Sequence, residues 1–108
     1  MSIDWSKRKT VVDLSAEQLL AQLAVWKTDR QAKVDAITVS VDGLEFDGDE
    51  ISQGRMARAV AAADLMTDTT EWTLADNTIA MVQIQTLKTA CRLAGEEQTR
   101  IWNEGRPA

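Results

Sequence analysis

Apolar residues recur at helical spacing between Ser15 and Ala36, where Leu19, Leu20, Leu23, Trp26, Val34 and Ile37 fall on or near one face. Ser15 followed by Gln18 has the form of a capping box, so the pattern predicts a helix over 15–36. The stripe is broken at Arg30, which predicts thinner burial there, and Asp29 with Lys33 marks the solvent face. The period then changes to two: Ile37, Val39 and Val41 alternate with Thr38 and Ser40, as in a half-buried strand. Asp42-Gly43 is a strong two-residue hairpin signal, because both central positions of a type I′ turn need positive φ, and Leu44 and Phe46 should return on the buried side. Carboxylates at Asp47, Asp49 and Glu50 precede Ile51, Met56, Ala59, Val60 and Ala63, predicting a second helix over 50–66 with Asp47 or Asp49 as its cap. Two short runs, Glu71 to Leu74 and Ile79 to Val82, flank Ala75-Asp76-Asn77-Thr78 and predict a second hairpin. From Gln83 the helical period returns through Leu87, Ala90, Cys91, Ala94, Ile101 and Trp102, and Gly105 with Pro107 marks the stop.

The expectation is therefore one α+β domain over 15–108, preceded by an N-terminal arm over 1–14. It has three helices and two short β-hairpins forming a small antiparallel sheet covered by helices on one face. A chain of 108 residues fits a single core. With one Phe, no Tyr and four Trp, most of the core volume is expected from Trp26, Trp72 and Trp102.

Charge narrows the function. The net charge is −5, and nine acids against two bases between Asp42 and Asp76 make the middle of the chain −7 while the remainder is +2. A general nucleic-acid binder needs clustered Lys and Arg, so nucleic acid is not an expected partner. No run approaches the roughly 20 apolar residues of a membrane span, so no membrane contact is expected and the chain is read as made in the cytoplasm. There is no histidine, and the one cysteine, Cys91, has no partner for an internal disulfide. The usual serine and cysteine triads and the commonest metal ligand are missing, and Cys91 reads as a buried, inert core thiol. The acids from Asp42 to Glu50 do not match a calcium loop in any frame, and paired carboxylates without an aromatic-lined cleft do not make a glycosidase. No enzyme activity, cofactor or metal is expected. Trp5 stands apart in a basic N-terminal segment, and with Lys7 and Arg8 it has the makeup of an interface anchor.

From Val39 to Trp102 the chain resembles a family of uncharacterised domains in tailed-phage and prophage proteins, encoded in or near the tail-fibre region. The string VDGLEFDGDEISQGRMARA carries the resemblance, with Trp72, Ala75-Asp76-Asn77 and Leu87 downstream. The resemblance covers about two-thirds of the chain, residues 1–36 match less clearly, and the family supplies no catalytic residue. It implies a non-enzymatic tail protein of the virion, acting through contacts with other tail or tail-fibre proteins, as an oligomer or within a symmetric assembly. Such a protein is a minor tail, baseplate or fibre-attachment component, or a fibre-assembly factor. The matched residues read first as a fold signature: Asp47 and Asp49 capping, Arg55 and Arg58 pairing with the acidic hairpin or Asp76, and Asn77 taking positive φ. The functional alternative is that Ser52, Gln53, Arg55 and Asp76 form a polar patch that recognises a partner. A rival from another class is a small acidic phage inhibitor of a host nucleic-acid-binding protein, with the −7 middle mimicking phosphate.

Overall fold

The computed structural model describes the backbone of residues 5–104 and the side chains of residues 16–104. Its elements run α1 (Trp5–Asp35), β1 (Thr38–Val41), β2 (Leu44–Asp47), α2 (Glu50–Ala62), β3 (Thr69–Thr73), β4 (Ile79–Gln83) and α3 (Ile84–Asn103). The α+β class and the two hairpins are as expected.

Helix α1 starts ten residues before Ser15, so that serine lies inside the helix and the capping box is not its start. The segment expected as an arm carries Lys7, Arg8 and Lys9, straight-chain residues that lose little rotamer freedom in a helix, and no glycine or proline stops the run. At 31 residues α1 is about 46 Å long. Among its described side chains only Val34 is fully buried; Leu23, Trp26 and Arg30 are half-covered, and everything from Ala16 to Gln22 is exposed. Arg30 does break the stripe, but in a structured way. Its guanidinium lies 4.7 Å from the Trp26 ring centre and 4.9 Å from that of Trp102, a planar cation stacked between two indoles.

The first hairpin pairs Thr38 with Asp47 and Val41 with Leu44. Asp42 and Gly43 take φ of 54° and 78°, the conformation the Asp-Gly dipeptide predicts. Side chains alternate as expected, with Phe46 fully buried and Thr38 and Ser40 exposed. The second hairpin pairs Thr69 with Gln83 and Thr73 with Ile79, and Asn77 takes φ of 68°. The single expected sheet is instead two separate two-stranded sheets. They meet through one hydrogen bond, Ala75 N–H donating to the Glu45 carbonyl at 2.9 Å.

Two other expectations need correction. Helix α2 ends at Ala62, four residues early, because Ala63 turns extended and the Asp68 carboxylate takes the Leu65 N–H into a turn. Asp49 occupies the N-cap position of α2, yet its carboxylate makes no cap hydrogen bond, and Asp47 ends β2.

The core is not built on tryptophan. Phe46, Met56, Leu74, Val82, Ile84, Leu87 and Ala90 form the main cluster, and Val34, Ile37, Ala94 and Ile101 form a second one where α1 meets α3. Trp26 and Trp72 are only half-buried, and Trp102 is 43% exposed. Ala90 of α3 lies in the main cluster and Ala59 of α2 packs against it, so small side chains stand between Met56, Leu87 and Phe46. Gly48, at the β2–α2 junction, is the most closely packed of the described glycines: a Cβ there would lie 2.5 Å from Ile37 Cγ2 and 2.9 Å from Ala94 Cβ.

Candidate functional site

Between the end of β2, the first turns of α2 and strand β3 lies a polar cleft of about 360 Å³, lined by Asp47, Ser52, Arg55, Glu71, Trp72, Thr73 and Asn77. Each wall follows from its element. Asp47 is the last residue of β2 and its side chain alternates to the exposed face, opposite buried Phe46. Ser52 and Arg55 are three apart and share one face of α2. Along β3, Glu71 and Thr73 are exposed while Trp72 turns the other way and packs partly against the main core. Asn77 closes one end, held by its left-handed backbone in the β3–β4 turn.

The charges in this cleft are not spent on each other. Among the described residues the ion pairs all lie on α3 and its C-cap, where Arg92 meets Glu96 and Arg100 meets Glu97 and the capping Glu104. These are exposed pairs one turn apart, which solvent screens so that each adds little to stability. Hydrogen bonds to Arg100 hold the Glu97 carboxyl below the usual carboxylate range, and the same bonds raise the pKa of Arg100. Among the described residues the expected pairing of Arg55 and Arg58 with the acidic hairpin or Asp76 does not form, and the Asp76 carboxylate is taken up by Thr78 instead. Two carboxylates and one guanidinium therefore face the cleft with their hydrogen-bonding capacity free.

Of the four residues expected to form a polar patch, Ser52 and Arg55 share this cleft. Gln53 and Asp76 do not join them. Gln53 turns toward α3, donating from Nε2 to the Gly48 carbonyl at 2.9 Å and to Gln98 Oε1 at 2.7 Å, so it locks α2 to α3. The Asp76 carboxylate accepts from the Thr78 hydroxyl at 2.6 Å and the Thr78 N–H at 3.1 Å, which lowers its pKa and fastens the hairpin turn. The side chains of Trp5, Lys7 and Arg8 lie outside the described residues. The sequence reading missed Glu71, Trp72, Thr73 and Asn77 as neighbours of Arg55; the alternation of Glu71 and Thr73 along β3 was the available signal, but it does not say which element a strand faces.

A second groove, about 460 Å³, runs between α1 and the end of α3, with Ala21, Val25, Trp26 and Ile101 on its walls and Arg30 and Lys33 at its edge. Trp26 Nε1–H donates to the Glu104 carbonyl at 3.1 Å, tying α1 to the last turn of α3. Cys91 is half-buried on α3. Its thiol donates weakly to the Gln53 carbonyl at 3.5 Å, and burial raises its pKa, which leaves less of the nucleophilic thiolate.

Among the described residues no three His, Cys, Asp or Glu side chains are grouped to hold a metal ion, and no helix is long and apolar enough to cross a membrane. The cleft offers fixed donors and acceptors beside an indole, which suits recognition of a polar partner. No protein-family model matches the chain, and neither a curated protein nor a solved structure matches it significantly.

Proposed function

We propose that this chain is a non-enzymatic tail protein of a tailed phage, a minor tail, baseplate or fibre-attachment component or a fibre-assembly factor, that works by contact with other tail proteins. The observation that carries the contact role is α1. Its C-terminal third is packed on α3, while the described part before Leu23 is exposed throughout, with Leu19 at 46% and Leu20 at 65%, and Val25, one turn on, is still 59% exposed. In proteins a helix draws most of its stability from packing an apolar face. A partner laid along α1 supplies that packing. The placement in a phage tail rests on the resemblance of residues 39–102 and on the phrase of residues that carries it.

The test is to quantify the chain against the tail-tube protein in purified particles, using wild type and the Leu20→Asp/Val25→Asp variant, whose substitutions lie at exposed positions and should leave the domain folded. A stable copy number divisible by about three or six, lost in the variant, supports a structural tail role. Absence from particles, with fibres that fail to assemble when the gene is deleted, supports the assembly factor. Absence with normal assembly removes the tail reading.

A further inference from the structure

The backbone at the polar cleft has an orientation that side chains alone do not reveal. In an antiparallel pair, residues alternate between those that exchange backbone hydrogen bonds with the partner strand and those whose N–H and C=O point away. The phase of that alternation is set by the turns. Leu74 N–H donates to the Thr78 carbonyl at 2.7 Å, so Leu74 pairs inward with Thr78, and by the register Trp72 and Thr70 pair inward with Ala80 and Val82. Glu71 and Thr73 then turn their backbone groups outward, to the free edge of β3. The same reasoning applies to β2, where the two-residue turn makes Val41 and Leu44 an inward pair, followed by Val39 and Phe46. Glu45 and Asp47 therefore face outward, and the Glu45 carbonyl does accept the Ala75 N–H from across the gap. The cleft is thus bounded on one side by the open edge of β3 at Glu71 and Thr73, and on the other by the edge of β2 at Asp47.

We propose that this cleft is a strand-addition site, in which an extended segment of a partner protein pairs with the free edge of β3. An exposed strand edge presents a ready row of donors and acceptors, and β-augmentation uses it for affinity while alternate side chains supply specificity. Here the alternation is defined. On one face of the added strand lie the Glu71 and Asp47 carboxylates, which exceed the single Arg55 by one charge and sit within the −7 middle of the chain. On the other face lies the half-buried indole of Trp72. The segment that fits alternates basic residues, facing the carboxylates, with β-branched or other apolar residues, facing Trp72. The proposal names the kind of partner segment used within the contact role described above, but it needs nothing from α1, so the two stand or fall by separate measurements.

The experiment uses the full chain, isotopically labelled, and an acetylated and amidated hexapeptide alternating valine and lysine, with amide exchange followed by NMR. At millimolar peptide the Glu71 and Thr73 amides should exchange about tenfold more slowly, because the added strand covers them. The same peptide N-methylated at alternate backbone nitrogens should give no protection. Thr73→Pro removes one outward N–H without touching the ladder to β4, a substitution that edge strands tolerate, and should abolish binding in a folded domain. Should that variant not fold, the N-methylated peptide still decides the matter. Unchanged exchange at Glu71 and Thr73, or equal binding of the N-methylated peptide, overturns the proposal.

Discussion

The β2–α2 junction makes a prediction that can be worked out from distances. Gly48 is buried between α3 and the residue that ends the α1 linker, and an added Cβ would lie 2.5 Å from Ile37 Cγ2 and 2.9 Å from Ala94 Cβ. Carbon atoms pack best at about 3.5–4.0 Å, so Gly48→Ala needs more than half an ångström of movement on both sides. Neither neighbour yields cheaply. Ala94 has no rotamer to change, and the Ile37 side chain is β-branched and stiff. Gly48 N–H also donates to the Ile37 carbonyl at 2.8 Å, so the two residues cannot part without lengthening that bond. Overpacking costs about 1–3 kcal/mol, and the upper end is expected here, which corresponds to a fall in Tm of about 12–24 °C for a domain of this size. Two other glycines calibrate the result. At Gly54, in α2, a Cβ meets only the mobile Arg58 Nη2 at 3.6 Å, so Gly54→Ala should stabilise by about 0.5–1 kcal/mol. At Gly43 there is open space but φ is +78°, so Gly43→Ala should cost about 1–2 kcal/mol through backbone strain alone. Urea denaturation of the three variants, with equal m-values, reads these directly. A Gly48→Ala variant within about 0.5 kcal/mol of wild type, below the usual overpacking cost, would refute the packing described for the α1–α3 junction.

Three further outcomes are expected. Gln53→Leu should destabilise by about 1–3 kcal/mol in the same assay, since it leaves the part-buried Gly48 carbonyl and Gln98 amide oxygen without their donor. Arg30→Ala removes the cation between Trp26 and Trp102 and should cost about 1 kcal/mol, with a red shift of tryptophan emission as the facing indoles gain water. Asp76 has a folded-state pKa below its unfolded value, so its contribution to the second hairpin is present above the unfolded value and is lost as pH falls through the folded one. The protection of the Thr78 amide, its exchange rate taken relative to the intrinsic rate at the same pH, should fall on that acid descent, and Asp76→Ala should show the low protection at every pH.

The secondary structure was largely legible because its signals are local. Asp42-Gly43 fixed a turn by backbone sterics, and the alternation of Val39, Val41, Leu44 and Phe46 set which face is buried. The length of α1 was not legible: Ser15 is a good cap, but a cap only competes with continuation, and nothing before it opposes the helix. The tryptophans misled because size and apolarity alone do not say where a residue sits: Trp26 and Trp102 flank Arg30 at the α1–α3 seam, and Trp72 packs only partly against the core. Arg30 read as a defect in the stripe, since the cation's place depends on Trp102, 72 residues away. At the cleft, Ser52 and Arg55 were within reach because they share a helix face. Gln53 was misjudged because adjacent helical positions point about 100° apart, and its neighbour Gln98 comes from α3. Two sheets stand in place of one because the β3–β4 turn reaches β2 through a single backbone hydrogen bond, from Ala75 to Glu45, and the sequence carries no signature of that.

The contact role proposed for α1 is tested most directly with a photo-crosslinking residue placed at Leu20 and, as a control, at exposed Arg58, in cells that produce the chain together with the tail proteins of the proposed phage. Under that proposal Leu20 forms a discrete crosslink to a tail protein, whether the association is permanent or transient, and the control forms far less. No discrete product at Leu20, or the same products from both positions, would contradict the account.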